Sequence, residues 1–398
     1  GLTFLGGSLY VHTHPPVYPI FLGGVYALGG GEAAVRWVQL ALALATLVWV
    51  FLTARRVFGE AVARAALLAG GAYFPTAFYV TQLLSEVLFT FFLVLGVYFL
   101  ITASARDRRA WWLDAAAGVT FGVAGLTRAV ALAAALAITV LILIRRGTPG
   151  RRRWASVAAF AVGVAVPVLA WSGYVYGETG RLVLVDTKSA EVLYLGNSPG
   201  TPMHHAWDII GGTAGYFVAP EGVRAGGIYG RSRVLSVAAL KYMAAHPVQT
   251  ALRFASKSAD MWEVERCFVG SWRQGFLPNA PAPWIYFFIA AEVAASAVAL
   301  ALFWFTVPLM GRNLWRGLTL AVVLSTAVAY AATLAHSRYN YPLMVLGTPA
   351  AGYFFADVLP RWRARAIPSR RLLLAGAVVA ALVLVWGRMV WLFVTRGS

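Results

Sequence analysis

Charge is scarce in this sequence. Charged residues make up 12% of 398, and Asp plus Glu number only 15. Soluble domains carry about 25% charged and about 45–50% apolar residues. Here the apolar share is 60% and the mean hydropathy +0.71, so a water-soluble fold would leave too much apolar surface in water. Cysteine is nearly absent as well. Cys267 stands alone, which excludes an internal disulfide, and no Cys/His spacing of a zinc site occurs. The glycines at 23, 24, 29, 30 and 31 follow no strand, which speaks against a nucleotide-binding loop.

What the chain has instead is long apolar runs. A spanning helix needs about 20 mostly apolar residues. Candidate spans are 35–54, 62–80, 84–103, 113–127, 129–145, 154–174, 284–307, 314–334, 341–358 and 372–393. The expected fold is an all-α polytopic membrane bundle of about ten spans with one extramembrane segment. It divides into a module over 1–174 with a juxtamembrane hairpin, a segment over 175–283, and helices over 284–398.

The net charge of +18 sits in short clusters between the apolar runs. That is how membrane proteins set orientation, and it argues against nucleic acid as a partner. Arg55, Arg56 and Arg64, then Arg106, Arg108 and Arg109, then Arg145, Arg146 and Arg151–Arg153 mark alternate joints. Arg312 and Arg316, then Arg361, Arg363, Arg365, Arg370 and Arg371 continue the series. Positive-inside sorting places these in the cytoplasm. Residues 1–33, the joint at Arg128, segment 175–283 and the C-terminus are then expected outside. The pattern is self-consistent only if 113–145 holds two spans. All six histidines and Glu86 fall on the outer side.

Within 175–283, Arg181–Asp186 reads as a short strand and 196–200 (Gly-Asn-Ser-Pro-Gly) as a turn-rich loop. Residues 232–245 and 247–265 read as two helices. Val248, Leu252, Ala255, Ala259 and Trp262 share one face of the second, which either packs on the bundle or lies in the lipid interface.

Candidate site residues gather on the outer side. His12, His14 and Tyr18 lie in His-Thr-His-Pro-Pro-Val-Tyr-Pro, ahead of an apolar segment too short to span. The run is either a stiff start to a juxtamembrane helix or a place where histidine meets a phosphate or a metal. Glu86 opens an apolar helix, where it either favours the positive helix end or serves function. Arg128 and Arg338 are the strong cations of the short outer joints. They either snorkel to headgroups or pair with a lipid phosphate.

These residues, in order, resemble a known family. His14-Pro15-Pro16-Val17-Tyr18-Pro19, Ser85-Glu86 after Tyr73-Phe74-Pro75, Leu126-Thr127-Arg128 and Leu195-Gly196-Asn197-Ser198-Pro199 carry the likeness. So do His246-Pro247 and Arg338-Tyr339 before Pro342. The series is similar to GT-C glycosyltransferases, nearest to bacterial members of glycosyltransferase family 39. Those are similar to protein O-mannosyltransferases and lipid A aminoarabinose transferases.

The resemblance implies a GT-C-like bundle and transfer of a sugar from a polyprenyl-phosphate donor on the extracytoplasmic face. The acceptor would be a protein, a lipid or a glycan. It puts His14, Arg128, Arg338 and Tyr339 at the donor phosphate or substrate, and His12, Tyr18, Glu86 and Asn197 around the cavity. His14, Glu86, Arg128 and Arg338 are expected to converge there. Some members hold a divalent metal near the residue that Glu86 matches; Thr13 stands where some relatives have an acidic residue. The resemblance also implies a catalytic aspartate in a first outer loop after a first span. Residues 1–13 hold neither Asp nor Glu, so that base is expected upstream of Gly1. The alternative function is a transporter or flippase of lipid-linked saccharides. It would share the spans and outer cations, but the spans here carry few mid-helix charges, which transporters use at the midplane. A non-catalytic membrane scaffold would leave the grouped His, Glu and Arg without a purpose.

Overall fold

The computed structural model describes residues 13–105, 111–145, 150–206, 227–265, 267–268 and 281–396. Helices dominate, and no strand occurs among the described residues. In order they are α1 (Val17–Ala27), α2 (Glu32–Phe58), α3 (Glu60–Gly71), α4 (Pro75–Thr81), α5 (Glu86–Ser104), α6 (Trp111–Thr127), α7 (Val130–Ile144) and α8 (Gly150–Thr179). Then come α9 (Lys188–Gly196), α10 (Gly227–Ala245), α11 (Pro247–Met261), α12 (Ala282–Leu309) and α13 (Leu314–Ala332). A 3₁₀ turn (Ser337–Asn340) leads into α14 (Tyr341–Tyr353), a π turn (Phe354–Val358) and α15 (Leu359–Arg363), and α16 (Ser369–Arg396) follows. Among the described residues, seven stretches are long and apolar enough to cross a membrane: α2, α5, α8, α12, α13, the run Ser337–Arg363, and α16. In lipid every backbone polar group must be satisfied inside its own segment, which helices alone do without pairing. The chain is a polytopic helical membrane protein.

Two expectations change. The span expected over 62–80 is two helices, α3 and α4, separated at Ala72–Phe74. Pro75 at the start of α4 has no N–H to continue the ladder. The strand expected over 181–186 is an irregular segment with bends at Leu184 and Val185. It lies along α8 instead: Trp171 Nε1 donates to Val185 O at 2.9 Å and Ser172 Oγ to Leu184 O at 3.3 Å. Alternation of apolar residues suited a strand, but a strand forms only where a second one completes its hydrogen bonds. The split of 113–145 into two helices holds, with Arg128 and Ala129 between α6 and α7.

The chain forms two compact units. One comprises residues 1–28, 109–261 and 321–336; the other comprises 29–108, 262–320 and 337–398. In the first, α6 and α8 meet backbone to backbone. A Cβ at Gly118 would lie 2.2 Å from Phe160 O, and one at Gly163 would lie 2.3 Å from Ala115 O. Small residues are what let membrane helices approach so closely. In the second, Tyr73, Tyr79 and Tyr341 form an aromatic core, with the Tyr79 and Tyr341 rings 4.3 Å apart.

Candidate functional site

In the first unit the His-Pro-Pro run enters α1 at Pro16, whose φ of −77° suits a helix start. Lys188 N donates to Thr13 O at 3.2 Å and ties the run to the start of α9. His14 is exposed at this junction and faces Lys188, Asp186 and Glu191. Crowding by surrounding chain, then the Lys188 charge, hold its pKa below the usual 6.5, so it is mostly neutral at pH 7. Asp186 accepts Ser189 N at 2.7 Å, and its pKa is raised by burial despite that bond and the nearby His14.

The same end of the unit holds Arg128. Leu126, Val168, Trp171, Val175, Val183 and Val185 form an apolar cluster, and Val17 and Ala129 pack against it. Val17 is three residues from His14 and Ala129 is the neighbour of Arg128. One cluster therefore anchors the His14 run, the Arg128 joint and the segment leading to Asp186. Arg128 is half-buried, and its backbone continues the end of α6 through a 2.8 Å bond from its N–H to Ala124 O. Tyr18 is buried beside Phe21.

Asn197 is buried and its amide is engaged in structure. Nδ2 donates to Leu193 O at 3.0 Å and to Ala332 O at 2.8 Å, while Oδ1 accepts Lys257 Nζ at 3.2 Å. Lys257 was not singled out in the sequence. Its ammonium is buried and also donates to Gly196 O at 3.1 Å and Thr333 O at 2.9 Å. Removal from water, then Arg253, pull its pKa down to about 8, and Asp260 pulls the other way. Arg253, equally buried, donates to Ser198 O at 2.8 Å and Thr201 O at 2.6 Å and lies over the Tyr242 ring. Two cations thus hold the 196–201 loop by its carbonyls. The sequence signal was Arg253 and Lys257 four apart on a helix, the spacing of one face.

In the second unit Glu86 and Arg338 meet. Arg338 Nε lies 3.6 Å from Glu86 Oε1, and the Arg338 guanidinium lies over the Tyr339 ring at 5.3 Å. Glu86 is 1% exposed at the first position of α5. The guanidinium offsets a carboxylate that burial alone would disfavour. Glu86 belongs to no group of three metal-ligating side chains among the described residues. The structure therefore places His14 and Arg128 in one unit and Glu86, Arg338 and Tyr339 in the other. His12 lies outside the described residues.

These features define a class, a polytopic helical membrane protein whose polar and basic side chains gather at helix joints. Residues 13–171 match the family described as dolichyl-phosphate-mannose-protein mannosyltransferase. The match covers His14, Glu86 and Arg128 and bears out the resemblance to GT-C glycosyltransferases read from the sequence. Among solved structures, the archaeal oligosaccharyltransferase AglB from Archaeoglobus fulgidus, in complex with an inhibitory peptide and a dolichol-phosphate, is similar at 16% identity. The similarity covers 94% of this chain and 47% of that one, with a TM-score of 0.43, so the chain spans about half its length. No curated protein matches the chain.

Proposed function

We propose that this protein is a membrane glycosyltransferase. It takes a sugar from a polyprenyl-phosphate donor and passes it to a protein, lipid or glycan acceptor on the extracytoplasmic face. The observation that carries this reading is the joining of the His14 run and the Arg128 joint on one apolar cluster, within the region of the family match. Cleavage of the sugar–phosphate bond leaves negative charge on the lipid phosphate. A guanidinium fixed at a helix joint stabilises that charge as it develops, and its planar fork suits phosphate oxygens. His14, neutral at pH 7, contributes a hydrogen bond rather than a charge. Arg338 and Tyr339, in the second unit, are proposed as further substrate contacts, with Arg338 also paired to Glu86. The lipid tail lies along apolar helix faces, and no nucleotide is needed.

The test is sugar transfer from a polyprenyl-phosphate donor by the gene-encoded protein in detergent. Arg128→Ala is expected to lower turnover about 100- to 1000-fold, as for loss of a preorganised partner of a developing anion. Lysine at 128 restores part of it, because the charge returns without the fork. Arg64→Ala is the control, since that side chain is exposed and pairs only along its own helix with Glu60. Equal turnover of Arg128→Ala and the control, at equal folded protein, would remove Arg128 from the donor site.

A further inference from the structure

Helix α11 is packed inside out. Its buried side chains are Arg253, Ser256, Lys257 and Asp260, which fall at helical spacing on one face, and Met261 at the helix end. The opposite stripe, Val248, Ala251, Leu252 and Ala255, is exposed, with Val248 at 72% and Leu252 at 56%. A surface helix in water shows the reverse, with apolar residues inward and charges outward. The preceding helix adds to the same character. α10 buries Leu235 and Ala239 against Tyr194, yet its exposed stripe still carries Val237 and Leu240 between Arg233 and Lys241.

The position of α11 along the membrane normal follows from its inner face. Lys257 Nζ bonds Thr333 O, one residue past the end of α13, and Asn197, itself held by Lys257, bonds Ala332 O, the last residue of that helix. α13 is long and apolar enough to cross a bilayer. The inner face of α11 is thus bolted where a spanning helix leaves the hydrocarbon, which is the depth of the headgroup and acyl boundary. The charged residues on the exposed stripe of α10 are basic, and the one acidic residue of the two helices, Asp260, is buried. That charge suits lipid phosphates.

We propose that α10 and α11 form a membrane-contacting surface: their outward apolar stripes lie in the phospholipid interface, and the polar inner face of α11 carries the 196–201 loop. The surface is then a lipid-seated support for that loop. This inference is independent of the chemistry proposed above.

The test uses single-cysteine variants Val248→Cys and Leu252→Cys in a Cys267→Ser background, labelled with an environment-sensitive fluorophore. The protein is reconstituted in vesicles of phosphatidylcholine and phosphatidylglycerol. The expected result is blue-shifted emission, strong quenching by lipids spin-labelled near the headgroup, weaker quenching by those labelled at the chain end, and several-fold less quenching by aqueous iodide. Strong iodide quenching with none from lipid would show that the face meets water. Protection from both would show that protein covers it. Either result overturns the proposal. Both positions are exposed, so labelling leaves the fold intact, which monodisperse elution checks. If Cys267→Ser impairs folding, labelled protein with and without the added cysteine in the native background yields the same signal by difference.

Discussion

The Glu86–Arg338 pair shows how one side chain takes a second duty. Both were read as outer-face site residues, and the fold brings them together as an ion pair. Removing one partner of a buried pair strands the other, which costs about 3–5 kcal/mol. Arg338→Ala is therefore expected to lower the melting temperature in detergent as well as turnover. Glu86→Gln combined with Arg338→Gln should recover most of the stability and none of the turnover. If Arg338→Ala melts like the parent, the pair is not structural and Arg338 acts on substrate alone.

Lys257 carries a pH signature. Its folded pKa of about 8 lies below the 10.5 of an unperturbed lysine, so between those values the unfolded chain binds more protons than the folded one. Stability then rises with pH through that window and is flat below it, by about 3 kcal/mol at most. The melting temperature of the parent should climb from pH 8 toward 10, and Lys257→Met should lose that climb. A parent curve that falls over the same range would contradict the buried ammonium.

At the scale of elements, glycine sets how closely helices meet. Gly118 of α6 and Gly163 of α8 bring the two backbones together, so a Cβ at 118 must push the helices apart. Overpacking of this kind costs about 1–3 kcal/mol. Gly118→Ala should lower the melting temperature. Gly173→Ala on α8, where nothing lies within 4 Å of the added Cβ, should leave it equal or higher. The same change at Gly196 would meet Thr333 O at 1.7 Å and dislodge the loop that Lys257 holds.

Over the whole molecule, orientation in the membrane follows from charge. Arginine sorting puts the joint near Gly150 in the cytoplasm and Ser189, at the start of α9, outside. Both are exposed. In intact cells a membrane-impermeant thiol reagent should label Ser189→Cys and spare Gly150→Cys. The opposite pattern would invert the topology and move the proposed chemistry to the cytoplasmic face.

Class and helix order were legible in the sequence because lipid imposes a simple code. A run of about 20 apolar residues has one stable form in hydrocarbon, and arginines mark its ends. The break at Arg128, the short helix after His14 and the helices flanking His246 followed from that code and from proline. Side-chain pairing was decided only by the tertiary structure. Nothing in the chain says that Glu86 meets Arg338, more than 200 positions away, or that Lys257 is buried among carbonyls from two other segments. The amphipathic pattern of α11 was plain, but its sense was not. Sequence records which residues share a face, whereas only the packing shows that the polar face turns inward, because buried carbonyls needing donors lie there. The strand expected at 181–186 failed for the same reason: alternation is local, and a strand depends on a partner, which no described residue supplies.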